Sequence, residues 1–268
     1  MNVAGRTAVI TGAGSGIGRA IARSLSARGC HLALADVNEG GLAETAAQAR
    51  RNGLRISLHQ LDVTDAAAIA ALPDAVLAQH PGVDILVNNA GVALGGTFEQ
   101  VGMADFEWVI DVNFWGVVRT TRAFLPLLHR SDDARLVNLS SLFGLIAPPG
   151  QAAYSASKFA VRGFSEALRK ELADSRIGVT VVHPGGVATS IAANARAPGE
   201  ATPAQIAEEQ QRFQRLLKLP AEKAGEIIVG AIEQRRNRIL VGSDARLASL
   251  IERIAPVSYW KLIGRIAK

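Results

Sequence analysis

Short runs of apolar, β-branched residues alternate with longer alanine-rich segments, and this alternation constrains the fold more than any other feature of the chain. The runs RTAVIT (6–11), HLALAD (31–36), RISLHQ (55–60), VDILVN (83–88), ARLVNL (134–139), GVTVVH (178–183) and RILVG (238–242) read as strands. The intervals predict helices over 16–28, 39–52, 65–79, 102–128, 152–174 and 221–235. Nearly continuous apolar strands separated by helices imply a parallel sheet buried on both faces, with right-handed crossovers. The expected class is therefore α/β, a doubly wound parallel sheet in one domain over 1–244. From 190 to 220 the alternation breaks, in a stretch rich in proline and polar residues just after the sixth strand. Insertions at the carboxyl end of such strands form substrate walls or lids.

At 268 residues, 49% of them hydrophobic and 20% charged, the chain is long enough for a large core and too apolar for disorder. Its one cysteine, Cys30, excludes an internal disulfide, and its five histidines lack metal-ligand spacing, so no metal site is expected. The N-terminus does not read as a secretory signal and no run is long enough to span a bilayer, so the expected location is cytoplasmic. The net charge of +5 is concentrated at the end: residues 245–268 alone carry +4. That local excess gives no basic, aromatic-interleaved surface for nucleic acid. The extension 245–268 is basic and amphipathic, and Pro256 interrupts any single long helix in it. It suits contact with a membrane surface, but docking on its own domain or on a second subunit is the favoured reading.

The first strand runs into TGAGSGIG (11–18), a glycine-rich turn before a helix. Here missing side chains let the backbone approach a pyrophosphate, and the helix N-terminus offers free N–H groups. Asp36 ends the next strand, 18 residues past Gly18. A carboxylate there accepts hydrogen bonds from the ribose hydroxyls of NAD and repels the extra phosphate of NADP. Neither Ser15 nor Val37 supplies a cation for that phosphate, so NAD is the expected cofactor and NADP the less favoured one. Further along, Tyr154 and Lys158 in YSASK stand one helical turn apart on one face. A free tyrosine, with a pKa of about 10, is a poor base at neutral pH, and an adjacent ammonium favours its phenolate.

With LDVTD (61–65), NNAG (88–91), VN (112–113), NLSS (138–141) and HPGGVAT (183–189), these motifs closely resemble the short-chain dehydrogenase/reductase family, in its single-domain branch. The resemblance covers about residues 5–190 and implies a Rossmann fold. It implies a cofactor site made by Gly12, Ser15, Gly16, Ile17, Gly18 and Asp36, with Asp62 and Val63 at the adenine end. Asn89, Ala90 and Gly91 would form its wall, and Pro184, Gly185, Val187 and Thr189 would lie against the nicotinamide. Asn113, Ser141, Tyr154 and Lys158 match the family's catalytic four, with Tyr154 and Lys158 also touching the cofactor. Ser141 rather than Ser140 stands at the family's usual interval from Tyr154, and the asparagine would bend its helix and hold a water linking the lysine to solvent.

The implied activity is hydride transfer between NAD(H) and a secondary alcohol or ketone. The apolar Ala93, Leu94, Leu142, Phe143, Leu145 and Ile146 point to a hydrophobic substrate. Two alternatives stand beside it: an NADPH-dependent ketone or 3-ketoacyl reductase, against which Asp36 argues, and a non-catalytic dinucleotide sensor or scaffold. A homodimer or homotetramer built on the long helices 102–128 and 152–174 is expected, and His183 is expected to pack rather than catalyse.

Overall fold

β1 (Thr7–Thr11) is buried at every position and sends alternate side chains to opposite faces of the sheet. Ala8 and Ile10 enter one apolar layer and Val9 the other. The computed structural model describes residues 1–199, 202, 207, 210–211 and 214–266. After β1 come α1 (Gly16–Ala27), β2 (His31–Asp36), α2 (Glu39–Ala49), β3 (Ile56–Gln60), α3 (Ala66–Leu77) and β4 (Ile85–Asn88). Next is a long helix in three parts: α4 (Met103–Ile110), a π-helical turn at Asp111–Trp115, and α5 (Gly116–Leu128). β5 (Ala134–Leu139), α6 (Ala152–Glu171), β6 (Ile177–Pro184) and the short β7 (Val187–Ala188) and β8 (Leu219–Pro220) follow. α7 (Ala221–Glu233), β9 (Arg238–Val241), α8 (Ser243–Ile254) and α9 (Tyr259–Ile266) complete the described chain.

Seven strands form one parallel sheet in the order β3-β2-β1-β4-β5-β6-β9. The direction of winding reverses between β1 and β4, which opens a crevice at their carboxyl ends. Ile21, Leu25, Ile228 and Ile232 from α1 and α7 fill one face, and Phe124, Leu128 and Leu168 from α5 and α6 fill the other. β7 pairs with β8 and joins the two ends of the 190–220 insertion at the sheet's carboxyl edge. Within that expected substrate loop, residues 200–201, 203–206, 208–209 and 212–213 lie outside the described residues.

A buried polar ladder sets how α5 and α6 sit on the sheet. Asn88 Nδ2 donates to Asn138 Oδ1 and to Thr121 Oγ1, each at 2.9 Å, while Thr120 Oγ1 donates to Asn88 Oδ1 at 2.6 Å. Asn138 Nδ2 continues to Ser165 Oγ at 2.9 Å. A fully partnered network in a low-dielectric interior specifies one arrangement, because any slip leaves a buried group unpaired. Two amides inside strands thus fix the helix that carries Tyr154 and Lys158.

Two buried histidines tie stability to pH. Burial pushes His183 and His80 each down to about 4. A base whose pKa is lowered in the folded state contributes its full stability above the unfolded value near 6.5 and loses it as pH falls toward 4. For the fully buried His183 the expected loss by pH 5 is on the order of 2 kcal/mol, and His80 acts in the same direction. Urea unfolding at pH 7.5 and pH 5 checks this; equal stability at the two values would contradict it.

Candidate active site

The glycine turn is shaped by contacts that leave no room for side chains. A Cβ on Gly18 would stand 2.1 Å from the Gly12 carbonyl oxygen, and Gly12 itself has a φ of 64°, in the left-handed region. The N-terminus of α1, at Gly16, faces the crevice with no acidic residue in its first turn. Asp36, at the end of β2, is held beside it: Oδ2 accepts from the Gly14 N–H at 2.8 Å and Oδ1 from the Asn38 N–H at 2.9 Å. Arg19 is already engaged, donating to Thr45 Oγ1 and to the Gly14 carbonyl and pairing with Glu44 at 2.6 Å. These residues fit a dinucleotide: a cradle that a Cβ would fill, free helix N–H groups, and a carboxylate where the ribose would lie.

The turn after β4 is bolted to this cradle. Asn89 Nδ2 donates to the Thr11 and Gly12 carbonyls at 3.0 Å, and Thr11 Oγ1 accepts from the Asn89 and Ala90 N–H groups. On the other side, Thr189 packs its methyl group against Gly16. An open cleft of about 560 Å³ lies between α1 and the insertion, lined by Gly16, Arg19, Thr189, Ser190, Leu217 and Glu222 among others. Ser15 stands at the N-cap position of α1, its side chain making no capping bond to the helix, and Ile17 lies in the first turn. The Leu61 N–H bonds the Asp36 carbonyl at 3.0 Å, and Asp62 and Val63 follow directly after it. The Asp62 carboxylate itself turns to Thr64, and Val63 is buried against Gly116. Pro184 ends β6, the Gly185 N–H bonds the Val241 carbonyl at 2.9 Å, and Val187 is buried.

The four residues matched to the catalytic set converge where α6 meets β5 and the π-helical turn. Lys158 is buried, and its Nζ donates to the Leu139 carbonyl at 3.1 Å and lies 5.7 Å from the Tyr154 ring centre. Burial drives Lys158 down to about 8. Burial also raises the Tyr154 phenol above its ordinary value, and a hydrogen bond with the Ser141 side chain opposes that rise. Asn113 sits in the π-helical turn. Its side chain closes a two-way clamp on Val92, accepting from the N–H at 2.8 Å and donating to the carbonyl at 3.0 Å. Nδ2 also donates to Ser157 Oγ at 3.1 Å. A Cβ on Gly91 would lie 3.1 Å from Asn113 Oδ1 and 3.3 Å from Lys158 Nζ, so Gly91, Asn113 and Lys158 meet at one point.

The two adjacent serines separate cleanly. Ser140 is buried and donates to the Lys158 carbonyl at 2.8 Å, tying β5 to α6. Ser141 is half-buried, accepts from the Phe143 N–H at 3.1 Å and faces Tyr154. Behind it, His183 Nδ1 donates to the Ser141 carbonyl at 2.9 Å, a packing and positioning role. Of the apolar residues expected to line a substrate pocket, Leu94, Leu145 and Ile146 are buried in the protein. Ala93, Leu142 and Phe143 remain partly open, with Phe143 edge-on to Tyr154 at 6.1 Å. Cys30 is also buried, which pushes its thiol up to about 12 and leaves it inert.

Several contacts at the rim are absent from the sequence expectations. Arg196 stacks 3.6 Å over the Trp108 ring and bonds Asp105 at 2.9 Å, while its backbone bridges to Leu94. Asp244, in the first turn of α8, accepts from the Gly186 N–H at 2.6 Å. Tyr259 and Trp260, adjacent in α9, grip both sides of Ala147, whose N–H donates to Tyr259 Oη at 3.1 Å and whose carbonyl accepts from Trp260 Nε1 at 2.7 Å. These contacts span up to 113 residues, and nothing local in the sequence marks them beyond the aromatic pair itself. Among the described residues no group of His, Cys, Asp or Glu side chains is placed to hold a metal, and no helix is long and apolar enough to cross a membrane.

A doubly wound sheet with a glycine turn at its switch point, and a buried lysine one helical turn from a tyrosine, defines a well-populated class of enzyme scaffold. A family model for short chain dehydrogenases matches residues 6–200. The chain is 46% identical over 268 residues to the putative oxidoreductase SadH of Mycobacterium tuberculosis, covering 97% of this chain and 94% of that one. Among solved structures it resembles a short-chain dehydrogenase/reductase from Burkholderia phymatum in complex with NAD. That likeness has a TM-score of 0.88 at 34% identity and covers 95% of each chain. A short-chain dehydrogenase from Streptomyces avermitilis superposes with a TM-score of 0.82 at 31% identity over 99% of each chain. The chain belongs to the short-chain dehydrogenase/reductase family and is an oxidoreductase of that family.

Proposed function

We propose that the protein transfers a hydride between NAD(H) and an apolar secondary alcohol or ketone, with Tyr154 as the proton-transferring group. The observation that carries this reading is the half-buried Tyr154, bonded to the Ser141 side chain, with the buried Lys158 one helical turn away. When bound, the dinucleotide supplies or accepts the hydride at its nicotinamide. Gly12, Ser15, Gly16, Ile17 and Gly18 hold its pyrophosphate, and Asp36 its adenosine ribose. Asp62 and Val63 flank the adenine, Asn89, Ala90 and Gly91 form the wall, and Pro184, Gly185, Val187 and Thr189 contact the nicotinamide.

The chain's own groups handle the proton. Ser141 donates a hydrogen bond to the substrate oxygen as charge develops there. In the reducing direction the Tyr154 hydroxyl, whose raised pKa keeps it protonated, gives its proton to that oxygen. Lys158, still cationic below about pH 8, stabilises the phenolate left behind. Asn113 positions the Gly91–Val92 turn against Lys158. The partly open Ala93, Leu142 and Phe143 favour an apolar substrate.

Cofactor preference is the sharpest test of the Asp36 assignment. NADH is expected to bind at least about tenfold more tightly than NADPH, because a 2′-phosphate would meet a fixed carboxylate and an arginine already paired. Fluorescence titration with each nucleotide measures it. Equal or tighter NADPH binding would move the protein to the alternative NADPH-dependent reading.

We also propose a homo-oligomer assembled through the long helices. Met103, Trp115 and Phe159 are exposed large apolar residues on α4, the π-helical turn and α6. Light scattering at micromolar concentration is expected to give a dimer or tetramer, and a monomer there would contradict the assembly.

A further inference from the structure

The C-terminal helices carry an apolar surface that the catalytic reading does not use. On α8, Ala245, Ala248 and Ile251 face the protein, while Leu247, Leu250 and Ile254 form an outward stripe at i, i+3 and i+7. Ile254 is 73% exposed, and Val257, just beyond the helix end, is 96% exposed. Arg246 and Arg253 are exposed and stand four and three residues from Leu250, so both border the stripe. No ion pair among the described residues involves Arg246, Arg253 or Lys261. The acids of the segment point elsewhere: Asp244 bonds Gly186, and Glu252 lies four residues from buried Ala248, on the opposite side of α8.

We propose that this face docks the protein on an anionic lipid surface, with Leu247, Leu250, Ile254 and Val257 entering the interface and Arg246 and Arg253 meeting lipid phosphates. An apolar stripe bordered by arginines matches that chemistry on both counts. A second copy of the chain fits it less well. An isologous contact would set the stripe against itself and bring each arginine toward its own copy, with the acids of the segment facing away. The docked face would lie at the rim of the crevice, since Tyr259 and Trp260 of the adjoining α9 clamp Ala147 in the loop that follows Ser141. Lys261 and the 37% exposed Leu262 extend the same amphipathic character along α9. The proposal concerns the surface alone and stands apart from the reaction assigned above.

Flotation of the full chain with vesicles of phosphatidylcholine, with and without phosphatidylglycerol, tests it. Two double variants accompany the wild type, Leu250→Glu/Ile254→Glu and Arg246→Glu/Arg253→Glu, all four positions being exposed and outside the site. Binding is expected only with phosphatidylglycerol present and to weaken with salt; each double variant should bind about tenfold less or worse, with an unchanged melting temperature. No binding to either vesicle, or equal binding by the wild type and both variants, overturns the proposal. So does an assembly, seen by light scattering, that dissociates in Leu250→Glu/Ile254→Glu without any vesicle binding, because the face then belongs to an interface between copies.

Discussion

Replacing Lys158 by methionine is expected to stabilise the fold by roughly 2 kcal/mol at pH 7 and to remove most of the turnover. The ammonium is buried, and burial lowers it from 10.5 to about 8. A shift of that size corresponds to about 3 kcal/mol against the charged form. Loss of the Nζ bond to the Leu139 carbonyl gives back about 1 kcal/mol. The sign has a further consequence. Below pH 8 the folded wild type carries the full penalty, and as pH rises from 8 toward 10.5 the unfolded chain also loses its proton, so the penalty fades. The methionine variant should therefore be more stable at pH 7 and converge on the wild type near pH 10. Urea unfolding at those two values decides it, and a less stable variant at pH 7 would show that the lysine is structural. Retention of a buried cation that destabilises the fold is what a functional charge looks like.

The sheet was legible because strands buried on both faces read as continuous apolar runs, so seven of them could be placed to within a residue or two. The edges differ in places. β4 begins at Ile85 rather than at 83; just before it the Asp84 carboxylate accepts from the Thr7 N–H, Arg6 and Ser131 and ties the start of the strand to its neighbours. α2 stops at Ala49 because the chain turns toward Gly53, which adopts a φ of 80°. The helix expected over 102–128 is present from Met103 to Leu128 but changes winding at 111–115, and no change of apolar period announces that.

Motif letters pointed to the candidate site but not to its supports. Asn88 and Asn138 were visible as members of NNAG and NLSS, yet their pairing with Thr121 and Ser165 depends on which strands become neighbours. The same holds for the grip of Tyr259 and Trp260 on Ala147. Leu145 and Ile146 were read as pocket lining because they are apolar and close to Ser141 in sequence. Hydrophobicity does not say which way a loop residue turns, and these two turn into the protein. In α8 apolar residues occupy both the buried side and the exposed side, so period alone does not say which of them faces the core.

The second large effect concerns the hydroxyl of Tyr154. Phenylalanine at that position keeps the ring that packs edge-on to Phe143 and removes only the oxygen that meets Ser141. Lys158, Asn113 and the glycine cradle are untouched, so folding and NADH binding should be unchanged. What disappears is the group proposed to deliver or take the proton, a contribution of about 10² to 10⁴ in rate for a positioned acid or base. The most direct measurement follows NADH consumption by the wild type and by Tyr154→Phe against a panel of apolar ketones. The account predicts turnover by the wild type on at least one of them, with a loss of about a thousandfold in the variant at unchanged NADH affinity. Turnover that survives the substitution would contradict it.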